Sequence, residues 1–192
     1  MTNIGITVLA SGGLDSTACL AYYTAEGYSV RALWIDYGQA AARAEENAVE
    51  QVTAYYTIPL QKIRTTGINW PILGNDLFEF RGRNLTLVSL ACNTAPLESG
   101  LIVLGIHQGT DFTDCTEVFR DQVNDLLIFL SNGSLRLDCP FIQWSKFDIA
   151  RYALAHGVPM DLTYSCEKGM IPPCKECMKC RDMQAMLSNL ES

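Results

Sequence analysis

Residues 6–16 of the chain read Ile-Thr-Val-Leu-Ala-Ser-Gly-Gly-Leu-Asp-Ser, and this stretch decides the fold. An apolar run that stops at a glycine pair between hydroxyl residues predicts a buried strand that leads into a loop. Gly12 and Gly13 have no side chains, so several backbone N–H groups can approach the phosphates of a nucleotide together. A helix predicted over residues 15–26 adds the unpaired N–H groups and the partial positive charge of its first turn. We interpret the stretch as a strand, an anion-binding loop and a helix.

The loop differs from two well-known phosphate-binding loops. It has neither the Lys-Ser/Thr ending of the Walker type nor the G-x-G-x-x-G spacing of dinucleotide-binding folds. Residues 11–16, Ser-Gly-Gly-Leu-Asp-Ser, instead resemble the loop of the ATP pyrophosphatases (PP-loop proteins), which cleave ATP between its α and β phosphates and adenylate a substrate. A plain strand-to-helix turn is the alternative. The resemblance implies these ATP-binding residues: Leu9, Ala10, Ser11, Gly12, Gly13, Leu14, Asp15, Ser16 and Thr17.

Four cysteines far along the chain form the second motif. Cys166, Cys174, Cys177 and Cys180 are separated by seven, two and two residues. Four thiolates at this spacing predict a tetrahedral structural zinc site. Two alternatives stay open: a pair of disulfides, which the lack of a signal peptide disfavours, and an iron–sulfur cluster. Zinc is favoured because the four ligands are local and a closed site would fix a segment that builds no core of its own.

Length and composition predict one soluble domain with a small-molecule substrate. The chain has 192 residues, 48% of them hydrophobic, and we expect a single domain over 1–192 with a zinc-binding subregion at 163–192. No apolar run approaches the roughly 20 residues that span a bilayer, so we expect a cytoplasmic protein without membrane contact. The formal net charge of −7 argues against a nucleic-acid partner. The scattered cysteines are interpreted as buried thiols: Cys19, Cys92, Cys115 and Cys139.

Strand and helix patterns alternate along the chain. This order predicts an α/β fold with a Rossmann-like parallel sheet flanked by helices, because each crossover between parallel strands needs a helix. Strands are expected at 4–10, 30–36, 60–63, 101–105 and 135–137. Helices are expected at 15–26, 39–56, 84–95, 116–130, 145–156 with Ser145 as the N-cap, and 177–190.

Polar residues follow two of the predicted strands. Ligands of an open parallel sheet bind beyond the carboxyl ends of its strands. Tyr37 and Gln39 follow the second strand, and His107, Asp111 and Asp114 follow the apolar strand at 101–105. A solvated loop is the alternative for each residue taken singly, but together these positions predict a binding site at this edge.

Segments along nearly the whole chain resemble, in the same order, the 7-cyano-7-deazaguanine synthases of queuosine biosynthesis. Besides the opening loop, they are Asp36-Tyr37-Gly38-Gln39, Arg81-Gly82-Arg83-Asn84, residues 111–115, Lys146, and Thr163-Tyr164-Ser165-Cys166 with the later cysteines. The resemblance implies an adenine nucleotide alpha hydrolase-like fold and an ATP-dependent carbon–nitrogen ligase. Such an enzyme adenylates the carboxylate of 7-carboxy-7-deazaguanine and converts it with ammonia to 7-cyano-7-deazaguanine.

The same resemblance implies cofactors, an assembly and residue roles. The cofactors are ATP, Mg²⁺ bridging its phosphates, and Zn²⁺ on the four cysteines, and the expected assembly is a homodimer. Arg83 and Lys146 are implied as catalytic cations near the α phosphate or the substrate carboxylate. Asp114 is implied to accept hydrogen bonds from the purine-like ring. The implied substrate-binding residues are Tyr37, Gln39, Asn84 and Asp111.

The chain departs from the family pattern in ways that leave two alternatives open. Thr116 replaces the arginine of the family's Tyr-Pro-Asp-Cys-Arg segment, and Ala40, Ala41 and Ala42 replace its basic and histidine residues. Lys175 stands where the family usually has glycine. The reduced positive charge is compatible with a relative that passes the adenylated carboxylate to another amine, such as a protein terminus. It is also compatible with a nucleotide-binding module of weak catalysis.

Overall fold

Five strands alternate with six helices in the part of the chain that the computed structural model describes, residues 4–67, 80–95 and 100–190. The strands are β1 (Gly5–Leu9), β2 (Ser29–Asp36), β3 (Leu60–Arg64), β4 (Gly100–Leu104) and β5 (Leu135–Asp138). The helices are α1 (Leu14–Ala25), α2 (Ala42–Tyr56), α3 (Arg83–Thr94), α4 (Glu117–Leu130), α5 (Lys146–Ala155) and α6 (Met178–Leu190). No helix in these ranges combines the length and apolarity needed to cross a lipid bilayer.

The five strands form one parallel sheet, as the alternating pattern predicts. Their order is β3-β2-β1-β4-β5, with β1 in the centre. Gly5 of β1 pairs in register with Ser29 of β2 and Gly100 of β4. The chain therefore leaves β1 towards one side of the sheet and later returns to the other side. Such a reversal opens a crevice beyond the carboxyl ends of β1 and its neighbours, which is where ligands of this sheet type bind.

Helices cover both faces of the sheet. One core joins β1 to α1, α2, α5 and α6 through side chains such as Ile6, Leu14, Val49, Ile149 and Met186. The second core joins the other face to α3 and α4 through side chains such as Leu33, Val88, Ile102 and Leu127. Burial on both faces is why the three inner strands, β1, β2 and β4, are mainly apolar, whereas the edge strands β3 and β5 carry several polar residues. The buried sheet gives the loops at its carboxyl edge a rigid base.

The ends of two helices have clear local causes. The N-cap predicted for Ser145 is confirmed: its Oγ accepts the N–H of Asp148 at 3.2 Å, and Asp148 Oδ2 accepts the N–H of Ser145 at 3.0 Å. Helix α2 was predicted from residue 39 but begins at Ala42. The difference arises because residues 36–39 form a turn, in which Asp36 Oδ1 accepts the N–H of Gly38 at 2.9 Å.

Candidate active site

A cleft of about 280 Å³ opens at the carboxyl edge of the sheet. Its walls come from the ends of β1, β2 and β4, the first turns of α1, α2 and α3, and the segment that carries the four cysteines. This is the edge at which the polar residues after the strands predicted a binding site. The cleft brings widely separated parts of the chain together.

The two glycines of the opening loop have different structural roles. Gly12 is buried with a φ of +74°, and a Cβ there would lie 2.8 Å from Ala48 Cβ and 2.9 Å from the carbonyl oxygen of Glu45. Gly13 has a φ of −81° and lines the cleft, and its nearest contact to an added Cβ would be Ser11 Oγ at 3.4 Å. Gly12 therefore allows the loop to pack against α2, whereas Gly13 leaves space on the cleft side.

Ser11 and Ser16 form hydrogen bonds within the loop. Ser16 Oγ donates to the carbonyl oxygen of Gly13 at 3.1 Å and accepts the N–H of Ser11 at 3.2 Å. The hydroxyl oxygens of Ser11 and Ser16 lie 3.4 Å apart. These contacts support the conformation of the loop, so an anion would meet an ordered set of donors.

Asp15, in the first turn of α1, is held by two basic side chains. Lys146 Nζ donates to Asp15 Oδ1 at 2.6 Å and also contacts Oδ2. His107 Nε2 lies 3.9 Å from Asp15 Oδ2. The pair of Asp15 and Lys146 is partly exposed, with side-chain exposures of 22% and 33%. Lys146 is thus placed beside the loop, and its charge is balanced by Asp15.

Gln39 is a buried brace at the end of β2. Its Oε1 accepts the N–H of Tyr37 at 2.9 Å, and its Nε2 donates to the carbonyl oxygen of Ile35 at 3.2 Å. The same Nε2 donates to Glu45 Oε2 at 2.8 Å. These contacts use the amide within the protein, although Gln39 also lines the cleft. The ring of Tyr37 packs edge-to-face against Phe80.

Glu45, in the first turn of α2, places a carboxylate in the cleft wall. Burial raises the pKa of Glu45 above the ordinary glutamate value. The hydrogen bond from Gln39 and the charges of Lys179 and Arg83 act in the opposite direction, while Asp36 adds to the increase. Because burial dominates, this carboxyl binds a proton more readily than an exposed glutamate does.

Asn84 connects the first turn of α3 to the loop after β4. The residue is 3% exposed, and its Nδ2 donates to the carbonyl oxygen of Asp114 at 3.1 Å. Asp114 Oδ2 in turn accepts the backbone N–H of Asn84 at 3.3 Å, so it satisfies a free N–H group at the helix start. Arg83 and Cys115, on either side of this connection, line the cleft.

The four clustered cysteines can hold a metal ion. Their Sγ atoms all lie within 4.8 Å of one another. Cys166 Sγ accepts the N–H of Cys174 at 3.4 Å, and Cys174 Sγ accepts the N–H of Cys177 at 3.3 Å. Burial opposes ionisation of Cys166, but the backbone donors of Cys174, Met170 and Lys168 outweigh it and lower its pKa to about 6. Backbone donors also lower the pKa of Cys174, whereas burial raises the pKa of Cys180 to about 12, so Cys166 and Cys174 ionise more readily than Cys180.

The turn between Cys174 and Cys177, which we call the cysteine knuckle, accommodates Lys175 at the position where the resembled family usually has glycine. Lys175 adopts a φ of +61°, the left-handed conformation for which glycine is favoured. The resulting turn presents the N–H groups of Glu176 and Cys177 to Cys174 Sγ at 3.4 and 3.3 Å. The knuckle therefore keeps its sulfur-directed turn, at a conformational cost of about 1 kcal/mol.

None of the eight cysteines forms a disulfide. Cys19 and Cys139 are buried, and burial raises the pKa of Cys139 to about 12. The interpretation of all four scattered cysteines as buried thiols is wrong for Cys92 and Cys115, which are only partly buried. Cys115 is more accessible because the loop after β4 turns it into the cleft wall.

The cysteine segment, residues 163–182, is hydrogen-bonded to the glycine loop and completes the wall of the cleft. The N–H of Tyr164 donates to the carbonyl oxygen of Gly12 at 2.9 Å. Gly169 approaches Ala40 so closely that a Cβ on Gly169 would lie 2.3 Å from the Ala40 carbonyl oxygen. Beyond these contacts, the segment lines the cleft with Glu167, Met178, Lys179 and Asp182. Order in the cysteine segment is therefore coupled to the shape of the cleft.

The structure brings most, but not all, of the predicted site residues to the cleft. Predicted residues that line it are Leu9, Ala10, Ser11, Gly13, Asp15, Ser16, Tyr37, Gln39, Arg83 and Asn84. Gly12, Leu14 and Thr17 lie buried behind the loop. Lys146 and Asp114 contact cleft residues without lining the cleft, and Asp111 is exposed outside it.

Several residues that line the cleft were not predicted from the sequence, notably Glu45, Glu167, Lys179 and Asp182. A signal for Glu45 was available, because it lies in the first turn of the helix that follows a strand-end segment. Lys179 and Asp182 flank a cysteine of the knuckle, and their spacing alone does not reveal which way the knuckle faces. Only the packing of the cysteine segment on the glycine loop places them.

Comparison with known proteins gives a match over nearly the full chain. A family model described as queuosine biosynthesis protein QueC matches residues 5–79 and 76–190. A protein named 7-cyano-7-deazaguanine synthase 2 from Rhodopseudomonas palustris (strain HaA2) is 31% identical over 199 residues, covering 92% of this chain and 93% of that protein. The 7-cyano-7-deazaguanine synthase of Aquifex aeolicus (strain VF5) is 30% identical over 212 residues, covering 97% of each protein.

A solved structure supports the fold. The U34-tRNA thiolase NcsA from Methanococcus maripaludis, solved with its 4Fe-4S cluster, superposes with a TM-score of 0.53 at 12% sequence identity. The superposition covers 100% of this chain and 67% of that chain. At this identity the likeness concerns the arrangement of strands and helices alone.

Proposed function

This chain belongs to the queuosine biosynthesis protein QueC family, and we propose on that premise that it is an ATP-dependent carbon–nitrogen ligase. The proposed reaction adenylates the carboxylate of 7-carboxy-7-deazaguanine and converts it with ammonia to 7-cyano-7-deazaguanine, the product named for the relatives. One observation carries the proposal: the glycine loop, Arg83 and the cysteine segment all open on a single cleft.

The reaction needs activation, because a carboxylate or amide oxygen is a poor leaving group. In the first half, the substrate carboxylate attacks the α phosphorus of ATP, and pyrophosphate leaves. Ammonia then displaces AMP and forms the amide. In the second half, another ATP adenylates the amide oxygen, and loss of AMP with a proton leaves the nitrile. The protein must hold two anions together and neutralise the charge at phosphorus.

We assign the phosphates of ATP to the glycine loop and the start of α1. Ser11, Gly13 and Ser16 lie on the cleft side and offer hydroxyl and backbone donors. Leu9 and Ala10, at the end of β1, supply an apolar surface for the adenosine. The buried residues Gly12, Leu14 and Thr17 would act by holding the loop in position.

Magnesium fits this site through the carboxylate of Asp15. Mg²⁺ prefers one or two carboxylates together with the phosphates of a substrate. Asp15 is at the loop, but Lys146 already contacts both of its oxygens. We therefore propose that Asp15 would hold Mg²⁺ when ATP is bound and that Lys146 would then be free to contact the α phosphate. The ion would neutralise the negative charge of the phosphates when it is bound.

We assign the carboxylate of the substrate to Arg83, whose guanidinium can donate two parallel hydrogen bonds. Tyr37 and Asn84 line the same part of the cleft. Asp114 holds the first turn of α3, and a contact with the purine-like ring would require its carboxylate to leave that helix. Its proposed role is therefore to position Arg83 and Asn84. Asp111 stays a prediction from the family resemblance.

We propose zinc as the ion of the cysteine cluster. Four thiolates around one zinc, each at about 2.3 Å from it, lie about 3.8 Å apart. The observed sulfur atoms lie within 4.8 Å of one another, which suits a single ion. In an iron–sulfur cluster each thiolate binds a separate iron, so the thiolates are more widely spaced. Zinc supplies fixed geometry here and no redox chemistry. Elemental analysis should give one zinc per chain and no iron.

The test of the function is pyrophosphate release from ATP, magnesium, 7-carboxy-7-deazaguanine and ammonium, with mass spectrometry of the product. Formation of the nitrile is the expected result. Adenylate or amide that accumulates would indicate a relative with a different acceptor, such as the terminus of a protein. No pyrophosphate release would indicate a nucleotide-binding module and would refute the proposal. Sedimentation of the same sample tests the expected homodimer.

A further inference from the structure

The carboxylates of the cleft differ in how their charge is balanced. Asp15 is contacted by Lys146, and Glu167 Oε1 lies 3.7 Å from Lys179 Nζ. Glu45 has no ion pair within the described ranges, and the hydrogen bond to its carboxylate comes from the neutral amide of Gln39. Asp182, the remaining carboxylate of the cleft, is exposed to solvent. Glu45 is thus the shielded cleft carboxylate without an ion pair in the described ranges, and its charge is available to a cationic ligand.

The position of this carboxylate is well defined. Gln39 Nε2 donates to Glu45 Oε2 at 2.8 Å, and Gln39 is itself held by two backbone groups of the β2 end. The backbone of Glu45 also packs directly on Gly12, since a Cβ on that glycine would lie 2.9 Å from the Glu45 carbonyl oxygen. The carboxylate is therefore fixed beside the loop at which the adenylated intermediate would form.

The surroundings of Glu45 make it a stronger base than an exposed glutamate. Burial is the largest effect on its pKa and raises it. Charged groups face it from three elements: Asp36 at the end of β2, Arg83 on α3 and Lys179 on α6. The two cations would be drawn to the phosphates and the carboxylate of bound ligands, which would weaken their effect on Glu45. A base whose pKa lies nearer neutrality transfers protons more effectively at neutral pH.

The proposed reaction requires such a base. At neutral pH ammonia is almost entirely ammonium, whose nitrogen has no lone pair with which to attack. We propose that Glu45 binds the ammonium ion in the cleft and removes the proton that frees the nitrogen for attack on the adenylated carboxylate. This inference rests on the proposed function and extends it to one residue.

The proton and electron balance of the step is simple. One N–H bond of ammonium breaks, and the proton moves to a carboxylate oxygen of Glu45. The freed electron pair of nitrogen forms the C–N bond to the acyl carbon. The C–O bond to AMP then breaks, and its electron pair leaves with AMP. A second proton passes from nitrogen to water. Glu45 returns its proton to solvent before the next turnover.

The experiment compares Glu45→Gln with the matched control Glu46→Gln. Glu46 is the neighbouring residue of α2, and it bonds Lys62 and Arg64 of β3 outside the cleft. Glutamine at position 45 keeps the side-chain size and can still bond Gln39. Adenylation is measured as exchange of labelled pyrophosphate into ATP, which needs the carboxylate substrate but no amine. Amide formation is measured as a function of ammonium concentration.

We expect Glu45→Gln to keep exchange within about twofold of wild type and to lose about 100-fold or more in kcat/KM for ammonium. Glu46→Gln should match wild type in both assays. Hydroxylamine, which is largely neutral at pH 7, should restore amide-type product formation in Glu45→Gln because no proton needs to be removed first. This rescue separates a base from a residue that only supports the fold.

Two results would overturn the inference. One is an unchanged kcat/KM for ammonium in Glu45→Gln, and the other is loss of the exchange reaction, which would place Glu45 in adenylation instead. A wild-type protein without substrate-dependent exchange would refute the proposed function itself. The failure of the proposed function and the failure of this inference are thus distinguishable.

Discussion

The two adjacent glycines of the opening loop should respond to the same substitution in opposite ways. Gly12→Ala places a methyl group 2.8 Å from Ala48 Cβ and 2.9 Å from two backbone atoms of α2. It also forces alanine into a φ of +74°. Gly13→Ala adds the same methyl group at a φ of −81°, with the nearest atom at 3.4 Å. Comparing the two variants therefore distinguishes the effect of loop packing on stability from the effect of the loop on ligand binding.

The loss of stability for Gly12→Ala follows from these two effects. The left-handed conformation costs a non-glycine residue about 1–2 kcal/mol. Overpacking against backbone that cannot easily move costs about 1–3 kcal/mol more. Their sum is a loss of about 2–5 kcal/mol, which lowers the Tm of a chain of this size by about 4–20 °C. For Gly13→Ala the free energy of unfolding should stay within about 0.5 kcal/mol of wild type.

Urea unfolding and calorimetric titration with ATP and magnesium measure the two effects. Gly13→Ala should fold normally and bind ATP weakly, because its methyl group occupies the cleft side of the loop. Gly12→Ala should lose stability, and the part that remains folded should still bind ATP. A Gly12→Ala protein as stable as wild type would refute the packing argument. Normal ATP affinity in Gly13→Ala would refute the assignment of the loop to phosphates.

Three further predictions concern stability and its pH dependence. Lys146→Met should lower the free energy of unfolding by about 1–2 kcal/mol. A double-mutant cycle with Asp15→Asn should show that most of this loss is the coupling energy of the pair, because the pair is only partly exposed. Asn84→Ala should lower the free energy of unfolding in urea by about 1–3 kcal/mol, with ATP affinity unchanged, because its amide bonds Asp114 and not the glycine loop. Glu45→Gln should raise Tm above that of wild type at pH 8 and match it below about pH 4. Because the pKa of Glu45 is raised in the folded state, wild type loses stability as pH rises from the pKa of the unfolded state to the raised pKa of the folded state. An equal Tm difference at both pH values would contradict that sign.

The sequence predicted the order and type of the five described strands and six described α-helices, and the start of α5 at its Ser145 cap is confirmed. These features depend on neighbours within a few residues, such as an apolar run, a cap or a glycine pair. The start of α2 was missed by three residues because a turn at 36–39 competes with the helix. The exposure of Cys92 and Cys115 was also missed, since it depends on which helix face or loop side the fold leaves open.

The sequence by itself determined the glycine loop and the four cysteines that can hold a metal, because each is a short, contiguous pattern. It also determined the parallel α/β fold, because strand and helix patterns alternate along the chain. Only the tertiary structure decided how these parts form a site. Strand order brings Lys146 to Asp15 across 131 residues of sequence. Packing of the cysteine segment on the loop brings Lys179 into the cleft with Glu45. Such contacts arise from the closing of long chain loops around one core, and no local pattern specifies which distant side chains will meet there.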